Sequence, residues 1–236
     1  MSRTWFVPMM IAILFLCGCS HLKTIPFEGN TVIDWVDFVR LGERDYSSEY
    51  GTVLADPSLV TDEVVGTVKF KVADVVTNPR YRTKSGDAAF LPKGTKLYRI
   101  EGYSADKAIA ARDEKRIGGY RLYFEDGIRG QMALQYDTLP KDRIARIDLI
   151  RSGDIVPYRS LVNVEKDAFM GLLASGVEAA PTSAAGEPDP VYTSVVFYMD
   201  GPFAFVCTLM DDGLNVYFMP GSTLRMEGEV RRLIEG

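Results

Sequence analysis

The chain has 236 residues, with 27 basic and 32 acidic side chains, a net charge of −5 and a pI near 5.1. That balance works against gripping a phosphate backbone, which rests on neutralisation by Lys and Arg, so nucleic acid is set aside as a partner. The sole histidine, His21, lies outside any patterned segment. Its position removes Ser-His-Asp and Cys-His hydrolases and zinc sites built on two or more histidines.

At the N-terminus, Arg3 is followed by an uncharged run over residues 5–16 and then by Cys17, Gly18 and Cys19. One basic residue ahead of a short apolar run has the build of a secretory signal. The run is shorter than the roughly 20 residues that span a bilayer. Its exit, Leu16-Cys17-Gly18-Cys19, resembles the lipobox of bacterial lipoproteins. The resemblance implies a diacylglyceryl group on the Cys19 sulfur, cleavage after Gly18 and acylation of the new amino group. Lipid transfer needs a thiol nucleophile, and cleavage needs a small residue where the peptidase grips. Two or three acyl chains, at about 0.8 kcal/mol per buried methylene, make a permanent anchor. Residues 1–18 therefore read as a signal peptide and 19–30 as lipid anchor and tether. Cys17 leaves with the signal and Cys19 carries lipid, so Cys207 has no disulfide partner. Cys207 lies in an alternating apolar run over 203–209, which predicts a buried strand cysteine.

Residues 31–63 mix apolar pairs, Ile33 with Trp35 and Phe38 with Val39, among several acids and support no assignment. Residues 64–72 predict a strand in which Gly66, Val68, Phe70 and Val72 alternate with Thr67, Lys69 and Lys71. A loop through Asn78 and Pro79 and a turn at Pro92-Lys93-Gly94 follow. Strands are predicted over 97–100 and 120–124. Glu125-Asp126-Gly127 turns the second into a hairpin returning over 128–134. Residues 31–140 thus read as a small β-sheet or barrel-like unit.

A second unit, 141–236, begins with Ile144, Ile147, Leu149 and Ile150 on a strand. A helix is predicted over 164–175, capped by Asn163, with Val164, Ala168, Phe169, Leu172 and Leu173 on one face, and ended by Gly176. The Ala-, Pro-, Ser- and Gly-rich stretch 177–190 reads as a surface loop. Strands over 192–199, 203–209 and 214–218 are joined by turns at Asp200-Gly201 and Asp211-Asp212-Gly213. A closing helix from residue 222 would bury Met226, Val230, Leu233 and Ile234 despite Gly228. The expected class is α+β and β-rich, the first unit followed by a β-α-β-β-β-α unit, either apart or as one compact domain.

For chemistry, Ser104 and Lys107 match the Ser-x-x-Lys pattern of penicillin-binding proteins, but the Ser-Asp-Asn and Lys-Thr-Gly elements that support it there are missing. The carboxylate pairs Glu125 with Asp126 and Asp211 with Asp212 sit beside glycine in predicted turns, where aspartate serves the backbone. Calcium loops, phosphate loops and dinucleotide fingerprints are missing, so neither cofactor nor metal is expected. One segment points to a ligand. In an extended chain, Arg80, Arg82 and Lys84 fall on the same side, where they could grip a phosphate-rich polymer or anionic lipid heads. A solvated loop has the same composition.

From residue 68 to 103, and more loosely to 124, the chain resembles lipoproteins of Gram-positive bacteria. The shared stretches are Val68-Lys69-Phe70-Lys71-Val72-Ala73-Asp74, Asn78-Pro79-Arg80-Tyr81, Asp87-Ala88-Ala89-Phe90-Leu91 and Lys93-Gly94-Thr95. The resemblance implies location at a cell surface and no particular activity. The expected role is a membrane-anchored, extracytoplasmic binding or accessory module whose partner is an envelope polymer or a membrane protein. The alternative is an envelope enzyme using carboxylate or lysine chemistry.

Overall fold

Short runs of β-branched and aromatic residues, separated by glycine turns, pair into two large sheets. The computed structural model describes residues 32–181 and 189–235. The first sheet contains β1 (Phe38–Leu41), β2 (Arg44–Ser48), β4 (Val60–Thr67), β5 (Phe70–Lys71), β6 (Asp87–Ala88), β7 (Lys96–Ile100), β8 (Ala108–Arg112) and β9 (Tyr120–Glu125). Its order is β4-β7-β8-β9-β2-β1-β6-β5, antiparallel except for the β5–β6 edge pair. A short helix, α1 (Arg129–Met132), follows β9.

The second sheet runs β11 (Arg159–Leu161), β10 (Arg146–Arg151), β13 (Val191–Tyr198), β14 (Phe203–Asp211), β15 (Val216–Met219), β16 (Leu224–Met226) and β12 (Val177–Glu178). Helices α2 (Asn163–Ser175) and α3 (Val230–Ile234) pack Phe169, Leu173 and Val230 against Phe197, Phe205 and Phe218 of this sheet. Its other face holds Ile150, Val196 and Ala204.

The strand β3 (Thr52–Leu54) comes from the N-terminal half, yet it pairs with Phe203, Ala204 and Phe205 of β14. The same flank of β14 pairs with β15 through residues 208–211, so β14 serves two partners along one edge. Only residues 49–51 separate β2 in the first sheet from β3 in the second. Phe203 packs edge-on against Phe124 of β9 at 5.2 Å, giving the sheets a shared core with Leu54, Ile100 and Leu122.

Gly118 supports this junction. Its φ is +78°, and a Cβ there would fall 2.5 Å from the Leu54 carbonyl oxygen. Gly118→Ala combines left-handed strain with a backbone clash and is expected to lose about 2 kcal/mol or more, read by urea unfolding. An unchanged midpoint would mean that β3 yields freely.

The α+β expectation is overturned. Among the described residues, sixteen strands in two large sheets dominate, and the three helices have four, thirteen and five residues. Two errors account for most of the difference. The closing helix predicted from residue 222 is instead strand β16, a break at Gly228 and one turn, α3. Met226, Val230, Leu233 and Ile234 do reach the core, because a strand followed by a turn can place the same residues inward. The β-α-β-β-β-α order is also wrong: β11 precedes α2, and β16 and then β12 extend the sheet beyond β15.

Other elements moved as well. Residues 128–134 hold the four-residue helix α1 (Arg129–Met132) rather than a hairpin arm. The predicted 64–72 strand is divided between β4 and β5, leaving Val68 and Val72 buried but Phe70 37% exposed. Asn163 does not cap α2. It takes φ +48°, the cap position is Val162 without a side-chain bond, and Val164 is exposed.

Candidate functional site

The predicted cations lie on a segment whose backbone is tied down at both ends. Asn78 Oδ1 accepts the Arg80 N–H at 2.9 Å, and the Asn78 carbonyl accepts the Tyr81 N–H at 3.0 Å. At the far end Asp87, only 4% exposed, accepts the Tyr81 hydroxyl at 2.8 Å and the Lys84 N–H at 2.7 Å on the same oxygen. Gly86 donates to the Arg40 carbonyl, and Ser85 Oγ accepts the Gly42 N–H, which joins the segment to β1 and its turn. The Tyr81 ring rests against Phe70, with centroids 6.5 Å apart. Burial, and then the bond to Asp87, raises the Tyr81 phenol above its ordinary range.

Within this frame burial alternates. Tyr81 and Thr83 are half-buried, whereas Arg80, Arg82 and Lys84 are exposed. Among the described residues none of the three cations has an ion-pair partner. The result is a ridge of three positive charges whose backbone is already ordered before any ligand arrives, which lowers the entropy lost on binding. Asp87→Ala removes the tie that organises it. It leaves the Lys84 N–H without its acceptor, and the expected loss is about 1–3 kcal/mol. Amide exchange over residues 81–86 should quicken, and unchanged protection there would show that Asp87 does not organise the ridge.

Thr83 also lines a groove of about 590 Å³ together with Ile33, Trp35, Val36 and Phe38. Trp35 and Phe38 pack at 5.8 Å, and Val36 is 68% exposed. Asp34, Asp45, Ser47, Asp126 and Arg129 complete the lining, with Asp45 paired to Arg40. Residues 31–63 support no assignment from sequence, so the groove they line is not legible there. Its one advance signal was the spacing of Ile33 and Trp35.

Behind the groove lies a buried charge network. Asp37, 3% exposed, accepts from Arg121 Nη1 at 2.9 Å and from the Tyr123 hydroxyl at 3.0 Å. Arg121 Nη2 donates to Asp113 at 2.8 Å. Burial alone would lower the Arg121 guanidinium, but Tyr123, Asp113 and Asp37 outweigh it and hold it above its ordinary value. Burial, reinforced by Asp37, drives the Tyr123 phenol far upward. The network fixes Arg121 between two carboxylates, Asp37 and Asp113.

At the far side of the second sheet a cleft of about 730 Å³ is lined by Arg151, Tyr158, Tyr192, Thr193 and Asp211. The Arg151 guanidinium lies 4.2 Å from the Tyr158 ring centroid, and the Tyr158 hydroxyl donates to the Ile234 carbonyl. Asp211 is held by both Arg231 Nε and Nη2, and those bonds keep its carboxyl below the usual range despite partial burial. The stability from this pair is complete above the unfolded carboxylate value near pH 3.9 and is lost as pH falls through the lower folded value. Arg231→Gln should therefore move acid unfolding to higher pH, as followed by circular dichroism. No movement would place the pair outside the acid transition.

The other candidates serve the backbone. Asp211 and Asp212 accept the N–H groups of Gly213, Leu214 and Asn215 in the β14–β15 turn. Ser104 and Lys107 form a turn into β8, with the Lys107 N–H on the Ser104 carbonyl at 2.9 Å. Cys207 is buried in the β14 core, and burial pushes its thiol well up. Cys19, the Leu16–Cys19 motif, the tether 19–30 and His21 lie outside the described residues. Among the described residues no helix is long and apolar enough to cross a membrane, and no cluster of His, Cys, Asp and Glu is placed to hold a metal. No protein-family model, curated protein or solved structure matches the chain, so any functional reading rests on its own residues.

Proposed function

We propose that this chain is a lipid-anchored extracytoplasmic protein, cut before Cys19, whose folded part is a binding or accessory module at the cell surface. The observation that carries the anchor is the ordered run of Arg3, an uncharged stretch, Gly18 and Cys19 within one short window. Support for a binding role comes from Arg80, Arg82 and Lys84, three exposed cations on a pre-ordered backbone with no carboxylate to neutralise them among the described residues. Charges fixed in this way suit an anionic partner, an envelope polymer or the acidic face of a membrane protein. The rival enzyme reading draws no support from the carboxylate pair at the β14–β15 turn, where Asp211 and Asp212 are engaged by backbone N–H groups and Arg231.

Protease added outside intact spheroplasts tests the location. The domain is expected to be digested while a cytoplasmic marker survives. Protection equal to that of the marker would contradict the proposal.

A further inference from the structure

We infer that the cationic ridge and the rim of the adjacent groove form the face on which the domain rests against an anionic lipid surface. The inference deepens the anchored reading and rests on it. Three observations converge on this face.

The first is charge. Arg80, Arg82 and Lys84 are exposed, unpaired among the described residues and placed at alternate positions of a segment fixed by Asp87. The second is apolar exposure beside that charge. Thr83, between two of the cations, forms a wall of the groove that holds Trp35 and the largely exposed Val36, and Phe70 stays partly exposed under Tyr81. A soluble polyanion would use the cations alone. The headgroup region of a bilayer takes both, since tryptophan and phenylalanine settle at its boundary while Lys and Arg meet the phosphates. The third is position. Val32 opens the described residues, and the chain from Cys19 to Val32 spans at most about 45 Å even when extended. Residues 32–36 are thus the part of the fold tied nearest to the lipid.

Acids on the same face set the limits. Asp34 is exposed between Ile33 and Trp35, and Asp126 lines the groove; Asp45 is neutralised by Arg40, and Asp74 by Lys71. Asp34 opposes the docking, so its removal should strengthen it. Attraction between ridge and headgroups acts within roughly 8 Å at physiological salt, so its main effect is to orient a domain already held near the surface.

The only other tryptophan, Trp5, leaves with residues 1–18 on cleavage before Cys19, and Trp5→Phe silences any uncleaved chain, so Trp35 is the sole reporter. The protein is purified in detergent and reconstituted into vesicles of phosphatidylcholine alone or mixed with phosphatidylglycerol, with brominated acyl chains as quencher. The expected result is a blue shift and quenching of Trp35 only in the mixed vesicles, both reversed by salt. The triple variant Arg80→Glu, Arg82→Glu, Lys84→Glu should abolish the change. When unacylated Cys19→Ala chain is added to preformed mixed vesicles, the glutamine version of the triple variant should bind on the order of 100-fold more weakly, from about fivefold per cation, and the glutamate version more weakly still. Asp34→Asn should bind more tightly. The glutamine version of the triple variant, with an unaltered circular dichroism spectrum, guards against misfolding.

Acyl mass on the same samples separates the two readings. Acylated protein whose Trp35 spectrum is the same in both vesicles overturns the docking and leaves the anchor standing. Protein without acyl mass whose Trp35 still responds to phosphatidylglycerol overturns the anchor and supports the docking. Ridge-dependent binding of linear polyphosphate with no lipid response assigns the ridge to a soluble polyanion and overturns the docking.

Discussion

Asp37→Ala is expected to destabilise the protein by about 3–5 kcal/mol, the largest loss foreseen for a single polar substitution here. Asp37 accepts from Arg121 and Tyr123, residues 84 and 86 positions away, while Arg121 continues to Asp113 at the start of the β8–β9 connection. Removing the carboxylate leaves one arm of a guanidinium that is 20% exposed, and a fully buried phenol, without an acceptor. The penalty is that of stranding those groups rather than the worth of the pair itself. Hence Asp37→Leu combined with Arg121→Met should recover much of the loss, because an apolar replacement of both partners strands nothing. Urea unfolding of the two variants measures both terms. A loss under about 1 kcal/mol for Asp37→Ala would mean that water replaces the carboxylate at no penalty.

Phe197→Ala should cost a similar amount, about 3–5 kcal/mol, through a different mechanism. Phe197 is fully buried on β13, with the rings of Tyr136, Phe205 and Phe218 centred 5.9–6.1 Å away. The cavity would open between the second sheet and α2, where several aromatic contacts are lost together. Tyr136 offers a second sign. Its phenol is pushed up to about 12, first by burial and then by Cys207 and Asp137, so a loosened core should let it ionise at lower pH in ultraviolet titration. Thermal unfolding reads the stability term. A shift equivalent to less than about 1 kcal/mol would show that the aromatic cluster collapses around the gap.

Both predictions depend on contacts that local pattern reveals unevenly. The β13 and β14 strands were readable because one face of each is more buried than the other and a glycine turn at Asp200-Gly201 separates them: the expected 192–199 and 203–209 became Val191–Tyr198 and Phe203–Asp211. Strand β8 gave no such signal. Ala108, Ile109, Ala110 and Ala111 are all fully buried, with odd and even positions entering two different cores, so no polar alternation exists. In β2 the buried Ser47 and Ser48 hide a buried strand behind polar residue types. At the C-terminus a helical spacing of apolar residues was met by strand pairing with β15, which local periodicity does not register.

The site divides in the same way. The exposure of Arg80, Arg82 and Lys84 on either side of half-buried Tyr81 and Thr83 matches the two-residue repeat of an extended chain. Their fixation by Asp87 and the nearness of Trp35 and Val36 to Thr83 are tertiary facts, created when β1 and β6 pair through Val39 and Ala88.

Intact mass of protein taken from the producing cell, wild type against Cys19→Ala, tests the central claim most directly. The anchored reading predicts that wild type lacks residues 1–18 and carries added acyl mass, while the variant carries none. A wild-type chain without acyl mass would contradict it.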